Sequence, residues 1–273
     1  MICLKSLEVI QVDWSKTKTI FIISFLVLDI FLALQFFDKK NSSNYELSKT
    51  IPIEERLAAE NIKFPNDLSN ANQKGSYIKG ERKVFSEEDL KELTNQEATT
   101  VQNDSIRAEL EEPLRLPESN WSTRLNTFVR DSIIFGSEYV YWKRDKEKNQ
   151  IYYYQEYKGK IIFQNPASND IGIGLLILNI DSDNQIVSYE QTYMDSIQEV
   201  DEQQDILAPI KAIEALYDKR DIRTNSTVTK VELGYYTRYP LSTTQILLPT
   251  WHIEVDGKDD YFVNALVGEI IRP

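Results

Sequence analysis

The chain has one histidine, His252, and one cysteine, Cys3, near opposite ends of the sequence. Nucleophilic catalysis needs a thiol or hydroxyl beside a base, and a zinc site needs several Cys or His ligands at close spacing. Neither can be assembled here without distant partners that the sequence does not identify. His252 falls in Trp251-His252-Ile253-Glu254-Val255. Strand alternation turns Trp251, Ile253 and Val255 toward a core and His252 and Glu254 outward, so His252 reads as a surface or partly exposed strand residue.

Other motifs fail on inspection. Asp181-Ser182-Asp183-Asn184 opens like a calcium loop, but the sixth position is Ile186 instead of glycine and the twelfth is Thr192 instead of glutamate. These are turn residues. Gly172-Ile173-Gly174 lacks a third glycine and precedes a strand, so it is no dinucleotide loop. Ser15-Lys16-Thr17-Lys18 matches S-x-x-K but lies outside any domain. Tyr139, Tyr141, Tyr152, Tyr153, Tyr154 and Tyr157 could stack on a sugar; cross-strand aromatic pairing explains them better. No catalytic, cofactor-binding or metal-ligating residue is assigned, and no cofactor is expected.

Asp29 is different. It lies in the middle of Ile20–Phe37, a nearly unbroken apolar run of 18 residues. Such a run spans roughly 27 Å as a helix, close to the hydrocarbon thickness of a bilayer. A carboxylate at that depth costs about 2.5–3.5 kcal/mol on insertion scales. Either the helix tolerates it, protonated or reached by water, or it contacts another membrane helix. The second reading is preferred, with Gln35 assigned to the same partner-helix contact.

The element that positions these residues is a single transmembrane helix. Lys16 and Lys18 precede it, Lys39 and Lys40 follow it, and Trp14 stands at its entry. These five are read as membrane-boundary residues, since lysines snorkel and tryptophan favours the interface. A cleavable signal peptide would have a shorter core and a small-x-small site. Ala33-Leu34-Gln35-Phe36-Phe37 offers none. Orientation is not resolved by charge, because Lys5, Lys16 and Lys18 on one side match Lys39, Lys40, Lys49 and Arg56 on the other. The lack of cysteine after the helix fits an extracytoplasmic location.

Residues 41–273 hold 26 Lys and Arg against 39 Asp and Glu. So acidic a surface argues against nucleic acid and against tight docking on anionic lipid. Residues 38–50 read as a polar tether. Pro52 opens a short helix, Ser76–Phe85 reads as a strand, and Ser86 with Asp89 makes a capping box for another helix. Strands follow within 97–110. Glu111–Asn120, with two prolines, is the best internal boundary. Beyond it the pattern is a helix and then an antiparallel meander, twice, over 121–193 and 206–271. The class is therefore α+β, with helices packed on antiparallel sheets. The expected division is 1–19 cytoplasmic, 20–37 transmembrane, 38–115 a tether and first α+β region, and 116–273 a second α+β region.

Val12-Asp13-Trp14-Ser15-Lys16-Thr17-Lys18-Thr19-Ile20-Phe21, followed by Phe25-Leu26-Val27-Leu28-Asp29, resembles the start of the YycI family. The stretch Leu248-Pro249-Thr250-Trp251-His252-Ile253, then Tyr261-Phe262-Val263-Asn264-Ala265 and Gly268-Glu269-Ile270, is similar to that family's tail. The tail also resembles PepSY-type modules, which share a helix-plus-meander layout. The resemblance implies a non-enzymatic, membrane-anchored protein of low-GC Gram-positive bacteria. It would join a YycH-like protein and the cell-wall sensor histidine kinase WalK (YycG), adjusting the kinase through its transmembrane helix. It also implies an extracytoplasmic C-terminal region and a cytoplasmic N-terminus. The other expectation is an anchored ligand-binding or wall-associated protein without kinase contact. Members of the family usually begin Met-Asp-Trp-Ser-Lys, so Val12, read from a GTG codon, is an expected alternative start.

Overall fold

A computed structural model describes residues 14–46, 51–68, 73–117, 119–164, 172–237 and 244–272. Val12 and the residues before it lie outside these. Two compact units result, Met1–Arg56 and Leu57–Pro273.

The described part of the first unit is dominated by one helix, α1, Trp14–Glu46. Its stretch Lys18–Phe36 is long and apolar enough to cross a membrane, with a mean hydropathy of 2.3 and none of it buried. The helix runs on through residues expected to be a tether. From Asp38 to Glu46 there is no glycine or proline, and extending an existing helix adds one hydrogen bond for each residue fixed.

α2 (Ile53–Ala59) follows Pro52 as expected. The strands after it are β1 (Lys74–Arg82), β2 (Gln96–Val101) and β3 (Ser105–Arg115), with α3 (Glu87–Lys91) between the first two. The capping box forms: Asp89 N–H donates to Ser86 Oγ, and Ser86 N–H donates to the Asp89 carboxylate at 2.7 Å. Next come α4 (Trp121–Ser132), β4 (Tyr139–Asp145), β5 (Gln150–Tyr157), β6 (Lys160–Phe163), β7 (Leu175–Ile180) and β8 (Gln185–Gln191). Then β9 (Met194–Asp205), α5 (Pro209–Asp218), β10 (Val228–Tyr236), β11 (Thr244–Val255), β12 (Asp259–Asn264) and β13 (Ile270–Ile271) complete the chain.

The helix-then-meander pattern is present twice. In the first meander β4, β5, β7, β8, β3 and β2 pair antiparallel in that order. In the second, β10, β11, β12 and β13 do the same. The stretch 111–120 was expected to divide the region. Instead β3 continues to Arg115 and pairs with β8, so strands from both sides of that division share one sheet. Pro113, which lacks an N–H, is accommodated by a register shift between Glu109 and Leu114. β9 is an element the sequence pattern does not reveal. It pairs with β1, which in turn pairs with β11.

The two meanders meet where β6 pairs parallel with β10, Ile162 opposite Tyr235 and Phe163 opposite Tyr236. β5, hairpinned to β6, lies between two cores. Ile151 and Tyr153 join the core under Leu125 and Val129 of α4. Tyr152 and Tyr154 join Phe163, Tyr236 and Phe262 on the opposite face. Gly234 makes the junction possible: a Cβ there would stand 2.3 Å from Phe163 Cε2 and 2.4 Å from Ile161 O. Gly234→Ala is expected to destabilise the unit by about 2 kcal/mol or more, since the close contact is partly backbone and cannot swing aside. A thermal melt of the variant beside the parent checks this; equal midpoints would contradict it.

Candidate functional site

The residues expected to contact a partner helix are both on α1. Asp29 and Gln35 lie on one unbroken helix, and six residues of separation put them about 9 Å apart along the axis and about 120° apart around it. They do not share a face, so one flat partner surface cannot meet both. Asp29 is exposed, as are Gln35 and every apolar neighbour between Ile20 and Phe36. Trp14 and Lys18 are exposed near the helix start. Lys16, Lys39 and Lys40 belong to α1, but their side chains lie outside the described ones.

The more elaborate chemistry is around His252, and here the outward-facing expectation is overturned. His252 is 0% exposed. The cause is a bulge in β4. Tyr141 pairs with Tyr153 and Lys143 with Tyr152, leaving Trp142 as the extra residue. Such a bulge re-aims side chains. Trp142 stacks on Tyr154 and lies 4.7 Å from the His252 ring, centroid to centroid. Phe163 and Phe262 stand 5.2 and 5.3 Å from the same ring. A face that alternation assigned to water is therefore roofed by aromatic side chains.

Both imidazole nitrogens face carboxylates. Nδ1 is 3.0 Å from Glu232 Oε1, directly across on β10, and Nε2 is 2.8 Å from Asp260 Oδ1 on β12. Lys143 Nζ donates to Asp260 Oδ2 at 3.0 Å, and Lys230 Nζ is 2.6 Å from Glu232 Oε1. Lys230 also lies 5.5 Å over the Trp142 ring. Burial opposes charge on His252, but the bonds to Asp260 and Glu232 outweigh it and raise its pKa above the ordinary value. Burial likewise opposes ionisation of the two acids, and their bonds to His252 and the lysines outweigh it, so both are held below their ordinary values. The result is a chain of alternating bases and acids, Lys230–Glu232–His252–Asp260–Lys143. Sequence reasoning missed Lys143, Glu232 and Asp260 because they come from three different strands.

The other motifs are structural. Asp181 Oδ1 accepts from the N–H groups of Asp183 and Gln185, each at 2.9 Å, closing the β7–β8 turn. Tyr152, Tyr153 and Tyr154 are fully buried and offer no platform to a sugar; Tyr141 packs edge-on against Tyr153 at 5.7 Å, the cross-strand aromatic pairing expected. Beside α4 an open groove of about 570 Å³ is lined by Leu114, Pro117, Asn120, Thr123, Arg124, Thr127 and Phe128. Among the described residues no group of three or more His, Cys, Asp and Glu could hold a metal ion.

The family model described as YycI protein matches residues 40–266. The chain belongs to the YycI protein family. This is a regulatory family and not a known enzyme family. The match covers the first meander, the second as far as β12, and the His252 array; Asp29 and Gln35 precede it. No curated protein matches the sequence. Among solved structures, an uncharacterized protein from Eubacterium rectale ATCC 33656 is 12% identical, with a TM-score of 0.49 over 78% of this chain and 91% of that one. YycH from Bacillus subtilis is 12% identical, with a TM-score of 0.41 over 71% of this chain and 54% of that one. The C-terminal domain of Bacillus megaterium YpeB is 10% identical, with a TM-score of 0.38 over 82% of this chain and 99% of that one.

Removing one partner of a buried ion pair leaves the other uncompensated, which costs about 3–5 kcal/mol. Asp260 keeps some water contact, with 19% of its side chain exposed. Asp260→Ala is therefore expected to lower stability by about 3 kcal/mol, read as a fall in the urea midpoint at neutral pH. An unchanged midpoint would mean that the array contributes nothing to the fold.

Proposed function

We propose that the protein is a membrane-anchored, non-catalytic regulator. In this reading it acts with a YycH-like protein on a WalK/YycG-like sensor histidine kinase of the cell-wall system. The observation that carries the reading is the family match over residues 40–266. The apolar helix is consistent with single-pass anchoring. The N-terminus is then cytoplasmic and the two meanders extracytoplasmic, as the resemblance of the N-terminal segment to the family implies.

The regulatory contact is assigned to α1, centred on Asp29. A tether alone needs no acid at mid-membrane. A partner helix offering a hydrogen-bond donor would satisfy the carboxyl, and such bonds measure about 0.6–2 kcal/mol in membranes. That is enough to bias a complex and too little to hold one alone. Because Gln35 lies on another side of α1, it would meet a different helix, which suits a protein with two membrane partners.

Asp29→Leu is expected to leave expression and insertion unchanged. It should weaken co-purification with the kinase or the YycH-like protein by about three- to thirtyfold and shift kinase output. Asp29→Asn should retain more, because an amide still hydrogen-bonds. The check is quantitative pull-down from mild detergent. Full recovery of both partners by the leucine variant, with signalling intact, would move the contact to the meanders.

A further inference from the structure

The charged array around His252 crosses the joint between the two meanders. Trp142 and Lys143 come from β4 of the first; Glu232, His252 and Asp260 come from β10, β11 and β12 of the second. Both ring nitrogens point at carboxylate oxygens, which can only accept. The arrangement therefore requires two ring N–H donors. A neutral imidazole would aim a lone pair at an oxygen about 3 Å away, and could keep only one of its two bonds.

We propose that His252 is a proton-operated latch between the meanders. Doubly protonated, it holds β10, β11 and β12 in register and seats β4 on them through Asp260 and the Trp142 ring. When it loses one proton as pH rises, a carboxylate is released and β4 and β12 loosen from each other.

The groups facing the ring bear this out. From β10 come Glu232 and Lys230, from β12 Asp260, and from β4 Lys143. β5 contributes Tyr154, whose hydroxyl donates to Gln164 O at 3.1 Å and whose pKa burial drives well above the ordinary value. Phe163 of β6 and Phe262 of β12 are uncharged. Lysine and tyrosine ordinarily titrate near pH 10, carboxylates near pH 4 and histidine near pH 6.5. Of these ordinary values, that of histidine lies nearest neutral pH. Its folded pKa is raised, so its contribution is complete below the ordinary histidine value and is lost as pH rises through the folded one. The acids have the opposite sign: both are lowered, so their contribution is lost in acid. The latch is closed between these limits. This holds whatever partner α1 contacts.

The chain has a single histidine, so its ring signals need no assignment. Full-length protein with nitrogen-15 histidine is studied by NMR in detergent micelles across neutral to alkaline pH. Amide exchange in β4 and β12 is followed by mass spectrometry of the same protein in the same micelles and corrected for intrinsic base catalysis. The expected result is two protonated ring nitrogens at pH 7 and one transition above the ordinary histidine value. Exchange in β4 and β12 should accelerate at least tenfold with the same midpoint. Asp260→Asn should shift that midpoint downward, and His252→Gln should remove the pH dependence of exchange. A bare ring nitrogen at pH 7 would overturn the latch. So would β4 and β12 exchange that stays flat through the ring's titration in the parent protein, a result that needs no variant to fold.

Discussion

Strand β5 has no solvent side, and that constraint organises the second unit. From Ile151 to Gln155 every side chain is buried. Alternate residues must then find separate cores, and every backbone group must be paired within the sheet. Ile151 and Tyr153 face the α4 core; Tyr152 and Tyr154 face the core shared with the second meander. Gln155 ends the run with an amide that behaves like a short strand. It accepts from Met194 N–H at 2.8 Å and donates to Met194 O at 3.0 Å. The first meander thus cannot be completed without the second, although each has its own helix.

The same arrangement explains how a histidine comes to be buried between two acids. The β4 bulge carries Trp142 over His252 and brings Lys143 to Asp260. A histidine with two acids in reach is cheaper to keep charged than to neutralise, even under aromatic cover, because both acids are stabilised by lysines. Bases and acids alternate along the array, so the nearest neighbour of each member is of the opposite kind.

Much of this was legible in the sequence, where the signal is local. Ser86 and Asp89 bracket α3 at capping-box spacing, and Pro209 takes the first turn of α5. The β4–β5 and β7–β8 hairpins follow from alternation and from turns such as Asp181–Asn184. The failures are non-local. Five of the twelve residues of β9 are acidic and neither of its faces is apolar, so it has no period to detect; its pairing with β1, across more than a hundred residues, makes it a strand. His252 alternates correctly with Trp251 and Ile253, yet alternation cannot tell that a bulge elsewhere roofs its side of the sheet. Asp29 and Gln35 show the limit from the other direction. Their helix was plain from composition, and that they lie on different sides of it follows from the turn of the helix and not from residue type.

The proposed function divides the labour between a folded region that carries the family match and an anchor helix with an acid at mid-membrane. If regulation works through that helix, its sequence must matter beyond its hydropathy. The most direct measurement exchanges residues 20–37 for an unrelated apolar helix of equal length. Kinase autophosphorylation is then assayed in membranes with the YycH-like protein present. The account predicts an inserted, folded protein that no longer changes kinase activity. Regulation at the parental level by the exchanged chain would contradict it and leave α1 as a tether alone.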